Sequence, residues 1–193
     1  MNYKTIFKIS TLLLLFSLFT NCATTLNKSP KSKNKTASFE AKKLILEVDS
    51  LIRISESMEY STKPVVKRIT EGSLKIFDSL KIEIGTGSFL RNMYTNQEKD
   101  EVVKADYSQT INYIYDASKN IDHTKEQIKT IIYYKNEKPY YATYNERKFN
   151  KESLTADDTY YFEFNTENIK ENDSEKKIRK YVLYLSEDII SDK

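Results

Sequence analysis

The chain predicts an α+β fold, with one N-terminal amphipathic helix packed on a predominantly antiparallel β-meander. Three observations carry that expectation. Ala41, Leu44, Ile45, Val48, Leu51 and Ile52 recur at spacings of three and four. From Pro64 onward the apolar period changes to two. Tyr residues, 15 in all and with no Trp beside them, gather in the alternating segments, where a large ring with a wet hydroxyl suits a half-buried sheet.

Taken in order, Ser38 is the expected N-cap of the helix, which runs for about 20 residues. Its other side carries Lys42, Lys43, Glu47, Asp49, Arg53 and Glu56. It should stop near Glu59, because Pro64 disfavours helical backbone at Lys63. The stripe holds fewer than three heptads, so it is expected to pack on the sheet and not in a coiled coil. Short strands are then expected at 66–68, 74–76 and 80–84, with Glu71-Gly72 as a turn and with Gly85 and Gly87 breaking the third. Segments 89–94 and 101–107 are expected to pair across residues 95–100. A strand at 109–115 and a polar loop at 118–126 follow. The clearest hairpin joins 127–134 to 140–149 around Lys135-Asn136-Glu137-Lys138-Pro139. Strands at 159–164 and 180–185, separated by the charged stretch 166–177, complete the expected meander.

The N-terminus reads as an address. Lys4 and Lys8 precede an apolar block from Ile9 to Phe19, the layout of a secretory signal. The block is about 11 residues, short of the roughly 20 that span a bilayer. Thr20 and Asn21 end it, and the one cysteine of the chain, Cys22, follows. Phe19-Thr20-Asn21-Cys22 resembles the relaxed lipobox of Bacteroidetes-type lipoproteins, in which the cysteine is acylated and becomes the mature N-terminus. That resemblance implies palmitate on Cys22. Ala23 after the cysteine implies sorting to the outer membrane, with the domain facing the periplasm. Two or three acyl chains anchor almost permanently where one anchors marginally. Residues 23–37 are polar and basic with no apolar period, which reads as a tether that would place the domain about 20 Å from the leaflet. The expected organisation is therefore signal peptide 1–21, lipidated tether 22–37 and a single domain 38–193.

Composition excludes several classes. The formal charge is +3, but the basic excess sits in the signal and in residues 23–43. From Leu44 onward 23 basic residues face 27 acidic ones. The overall basicity is thus no argument for nucleic-acid binding. The basic stretch reads as a solvated spacer, with attraction to anionic headgroups as the alternative. A lone cysteine allows no intrachain disulfide, so the core alone must hold the fold.

No catalytic constellation stands out. His123 is the sole histidine and sits in a polar stretch beside Asp122. One imidazole makes neither a usual zinc site nor a marked Ser–His–Asp triad, and a solvent-exposed loop position is expected for it. Asp157, Asp158, Glu171, Asp173 and Glu175 lack the order of a calcium loop and read as surface. Gly85-Thr86-Gly87 lacks the rest of a phosphate loop. Asp49-Ser50-Leu51 and Asp78-Ser79-Leu80 resemble the O-glycosylation acceptor triplet of Bacteroidetes secreted proteins.

What remains is the tyrosines. By strand alternation Tyr133 and Tyr141 should share one face, with Tyr134, Tyr140 and Tyr144 on the other. The second set is a possible binding face for a glycan or a partner peptide, against the alternative of cross-strand packing. The run from Thr130 through Tyr144 resembles hairpins of small uncharacterised secreted proteins and lipoproteins of the same group, which place a helix ahead of a sheet. The functional expectation is a non-enzymatic, membrane-tethered binding or structural module of the cell envelope, with neither cofactor nor metal. Its partners are the membrane, through Cys22, and an envelope protein or a glycan. The alternatives are a glycan- or solute-binding subunit, or a hydrolase using carboxylates.

Overall fold

The computed structural model describes residues 37–114, 123–165 and 171–193. The expected signal and most of the tether, Cys22 included, lie outside them, as does most of the expected polar loop. Helix α1 (Phe39–Glu56) leads through a short 3-10 turn (Tyr60–Thr62) into six strands. These are β1 (Val65–Phe77), β2 (Glu83–Asn96), β3 (Glu101–Tyr113), β4 (Lys125–Lys135), β5 (Lys138–Asn150) and β6 (Ser153–Glu163), and helix α2 (Asp173–Ser191) follows. The strands form one antiparallel sheet in chain order, each paired with its sequence neighbour. Among the described residues the α+β meander is therefore present, with two helices where one was expected.

Helix α1 starts at Ser38, whose hydroxyl accepts from the Ala41 amide at 3.2 Å. Ala41, Val48 and Ile52 turn inward onto Val65, Tyr94, Tyr133 and Tyr141. The buried Ser55 joins helix to sheet: its hydroxyl donates to the Leu51 carbonyl at 2.8 Å and accepts from the Val65 amide at 3.0 Å. Arg53 donates to Ser50, so the first acceptor-like triplet lies on the ordered helix. In the second, the Asp78 carboxylate caps the β1–β2 turn by accepting from the Leu80 and Ile82 amides.

The opposite face of the sheet carries one register row of Met93, Ala105, Ile132, Ala142 and Phe162. Val182, Leu185 and Ile189 of α2 close over this row. Here the expected strand at 180–185 is corrected. Lys180-Tyr181-Val182-Leu183-Tyr184-Leu185 is helical, because Ile178, Val182, Leu185 and Ile189 recur at spacings of three and four. An Asn172–Glu175 capping box starts the helix, with both bonds at 2.9 Å.

Three further expectations change. Strand β1 runs straight through Glu71-Gly72, and β2 runs through Gly85 and Gly87. These glycines mark close approaches and not breaks. A Cβ at Gly87 would press into the Thr110 carbonyl of the neighbouring strand, whereas one at Gly72 would meet only the Phe89 ring. The segments expected at 101–107 and 109–115 are one strand, β3. The β4–β5 hairpin forms where expected, but its strands run through Lys135 and Lys138 and leave a two-residue loop in place of the expected 135–139. Asn136 and Glu137 both have positive φ, 53° and 57°, as a two-residue type I′ loop requires.

Strands of 13 residues span about 44 Å, whereas α1 spans about 27 Å. Each sheet face therefore extends beyond its helix. Among the described residues no helix is long and apolar enough to cross a membrane.

The two glycines give a contrast. Gly87→Ala must displace the β3 backbone and should cost about 2 kcal/mol. Gly72→Ala asks only a ring to turn and should cost under about 1 kcal/mol. Urea-unfolding midpoints of both variants measure the difference.

Candidate functional site

Helix α2 crosses its sheet face obliquely. Near its start, Arg179 lies over the rings of Phe162 and Phe164 at 5.1 and 5.0 Å and donates to the Glu163 carbonyl at 3.1 Å and to Glu171 at 2.7 Å. Near its end it reaches β2, where the buried Arg91 donates to Asp188 at 3.4 Å and to Asp192. Arg68 of β1 adds a contact to Asp192 at 3.5 Å. Carboxylates at a helix C-terminus oppose the macrodipole, and these two guanidinium groups supply the compensating charge.

The oblique crossing leaves a cleft of about 510 Å³ between the last turns of α2 and strands β1 to β3. That volume falls in the range of small-ligand sites. Its floor is Phe89 and Tyr107, whose rings stack at 5.9 Å with 19° between planes. Its wall is Tyr181 and Tyr184 of α2, the latter 71% exposed. Polar groups converge among the rings: Arg91, Asp188 and Gln109, the last accepting from the Tyr107 hydroxyl at 3.1 Å. Burial pushes the Tyr107 hydroxyl up, the Asp188 charge adds to this, and Arg91 opposes it. Burial likewise raises Tyr181. Both hydroxyls thus stay protonated at neutral pH and can donate. The cleft offers ring faces for stacking and a short polar line for hydrogen bonding.

The same aromatic strip continues to a carboxyl pair. Tyr181 meets Tyr144 edge-on at 5.9 Å, and the Tyr144 hydroxyl donates weakly to Glu146 at 3.4 Å. On the next strand the buried Glu126 accepts from the Tyr113 hydroxyl at 2.7 Å. Burial, then hydrogen bonding to Glu126, pushes the Glu146 carboxyl above its usual range, while Lys148 at 3.3 Å pulls it back.

The expected tyrosine face comes out differently. Tyr134 and Tyr144 are 2% and 5% exposed and belong to the core beneath α2. Tyr140 packs on the α1 side. A bulge at Tyr133/Tyr134 pairs Tyr134 with Pro139 and breaks the alternation on which the expected grouping relied. Tyr133 and Tyr141 do share a face, under α1. Tyr134, Tyr140 and Tyr144 therefore form no open row.

Most of the remaining expected carboxylates have structural partners. Asp157 accepts from Arg147 Nε at 3.1 Å and Asn145 Nδ2 at 2.8 Å. Glu171 pairs with Arg179, and Glu175 caps α2. His123 is half-buried, edge-on to Tyr113 at 5.0 Å, and not the fully exposed loop residue expected. Among the described residues no three or more His, Cys, Asp or Glu side chains gather to hold a metal ion.

Sequence reading missed Arg91, Tyr107, Tyr184, Asp188, Glu126 and Glu146. Arg91 and Asp188 are 97 positions apart, and the misread helix hid Tyr184. The helical period through Ile189, with the Asn172-x-x-Glu175 start, was the signal that could have located the wall. No protein-family model, curated protein or solved structure matches the chain.

Glu146 makes stability depend on pH. A carboxyl whose pKa is raised on folding binds its proton more tightly in the folded state, so its stabilising effect is full below the ordinary value of 4.5 and is lost as pH rises through the raised one. Glu146→Gln keeps the neutral shape and should be more stable than the parent at neutral pH. The two should converge at about pH 4, as followed by thermal melts across pH.

Proposed function

We propose that this chain is a lipid-anchored, non-enzymatic binding module of the bacterial cell envelope that holds a glycan in the cleft beside α2. The observation that carries the ligand class is the pairing of stacked, accessible rings with a short line of donors and acceptors. A sugar ring lays its C–H face on an aromatic face and turns its hydroxyls outward. Phe89, Tyr107 and Tyr184 supply the faces, and Arg91, Gln109 and Asp188 the hydrogen bonds. The expected open row of Tyr134, Tyr140 and Tyr144 no longer supports this reading, and the cleft takes its place.

The anchor rests on the N-terminal pattern: Lys4 and Lys8, the apolar block from Ile9 to Phe19, and Cys22 in a lipobox-like setting. In this reading Cys22 carries palmitate, residues 1–21 are removed, and the domain hangs from the outer membrane toward the periplasm.

A second reading, hydrolysis by a carboxyl pair, draws on Glu126 and Glu146. Each already has a partner, the Tyr113 hydroxyl for Glu126 and Lys148 for Glu146, and neither lines the cleft.

Two measurements test the proposal. Radiolabelled palmitate should enter the wild-type chain and not Cys22→Ser, which should leave the membrane fraction. Unchanged partition without palmitate incorporation rejects the anchor. Titration calorimetry against envelope oligosaccharides should show binding that Tyr184→Ala weakens about tenfold, a loss of about 1.4 kcal/mol of stacking. Tyr184 is exposed, so the fold should tolerate the change. Equal affinity in the variant rejects the cleft.

A further inference from the structure

Helix α1 carries apolar residues on both of its faces. The inner stripe is buried on the sheet. The outer one is not: Phe39, Leu46 and Ile54 are 78%, 66% and 52% exposed, and they follow one another at seven and eight residues, two turns apart on one side. Leu51 and Met58 flank them, and Tyr60 continues the exposed apolar surface past the helix. Of the large exposed apolar side chains among the described residues, this helix and its exit hold a disproportionate share. Single exposed apolar residues are ordinary, but a contiguous stripe marks an interface.

We propose that the outer face of α1 docks on the surface of an anionic membrane leaflet. Two features on the chain select lipid over protein as the occupant. The first is charge. From Lys28 to the end of α1 at Glu56 seven basic residues stand against four acidic ones. Lys42, Lys43 and Arg53 lie on α1 itself with Glu40, Glu47, Asp49 and Glu56, and Lys28, Lys31, Lys33 and Lys35 precede it. One of the four acids, Asp49, is neutralised from the sheet by Lys104 at 3.0 Å. An apolar stripe edged by lysine and arginine is the pattern of a helix lying in the headgroup region. The second is the chain leading into it. Ser38 is 16 residues from Cys22, and that length reaches at most about 55 Å when fully extended. An anchor at Cys22 therefore keeps α1 beside the leaflet and raises its local concentration there. The inference draws on the proposed anchor for proximity, while the helix face is its own observation.

In this arrangement α1 lies between sheet and membrane. The α2 cleft, on the opposite sheet face, points away from the leaflet and toward soluble or wall-borne ligands.

The test uses the full chain, purified from the cell fraction that holds it and reconstituted into vesicles of phosphatidylethanolamine and phosphatidylglycerol. A polarity-sensitive fluorophore is placed through Leu46→Cys and, as a control on the opposite side, through Tyr184→Cys. Where Cys22 carries no acyl group it is first replaced by Cys22→Ser. Both positions are exposed, so the labelled chains should melt with the parent. Lipids spin-labelled near the headgroup should quench the Leu46 probe several-fold more than the Tyr184 probe. Lys42→Glu with Lys43→Glu should at least halve that quenching. Equal quenching at the two sites overturns the proposal. Disulfide cross-linking of Leu46→Cys between two copies, without lipid quenching, also overturns it and assigns the face to a dimer. Palmitate incorporation in the same samples separates the two ideas. Palmitate without quenching keeps the anchor and removes the docking face. Quenching without palmitate keeps the docking face and removes the anchor.

Discussion

The structure depends on strand β4 being apolar on both sides. Thr130-Ile131-Ile132-Tyr133-Tyr134 has no polar face to give to water. Ile132 and Tyr134 sit in one core and Tyr133 in the other, with Ile131 packed against it. An antiparallel sheet can leave one face wet, but this one cannot do so at its centre. Each face must be covered, and a helix at each end of the strand sequence supplies the cover. Away from β4 the demand relaxes. On the α1 side the rows beyond the helix turn to Ser88, Thr110, Gln127 and Arg147, and the sheet is wet there.

Each helix is also held by charge, in the same manner. The helix contributes aspartate and the sheet contributes the cation. Under α1, Lys104 pairs with Asp49 while lying over the rings of Tyr133 and Tyr94 at 5.1 and 5.7 Å, and the Tyr133 hydroxyl donates to Asp49. Burial, with Lys104 opposing, pushes the neighbouring Asp106 carboxyl up. Under α2, Arg91 takes Asp188 and Asp192. The acidic partners are partly exposed, so these pairs add little net stability. Their value is positional, since a buried guanidinium accepts its partners in few geometries. Arg91 thereby sets where α2 ends and how wide the cleft beside it stands.

Much of the fold was legible. The cap at Ser38, the inner stripe of α1 except Leu51, which is exposed, the β2–β3 pairing and the β4–β5 hairpin all rest on local period and turn chemistry. What was not legible depends on neighbours. Gly72, Gly85 and Gly87 look like breaks in isolation, yet they make room for Phe89 and for the β3 backbone. Tyr140 changes face because of a bulge that no local residue announces. The stretch Tyr181-Val182-Leu183-Tyr184-Leu185 suits strand and helix alike by composition, and only the longer period through Ile189 and the cap at Asn172 decide between them. The cleft was less legible than the fold, since it joins β2, β3 and α2 across 97 positions. The charge-holding pairs are also distant in the chain, 55 positions for Asp49 and Lys104 and 97 for Arg91 and Asp188.

The order of the elements has a consequence for biosynthesis. Helix α2 follows all six strands, yet it covers the row from Met93 to Phe162 at the centre of the sheet. A chain emerging N-terminus first can zip its hairpins one after another, but that row stays bare until Asp173 and the residues after it have appeared. Such a meander is complete in hydrogen bonding and incomplete in its core, a state that holdase chaperones recognise and that aggregates when crowded. The final closing step belongs to one 19-residue segment. Closure of this core is thus postponed until α2 has been made, which leaves the preceding strands loosely held until then.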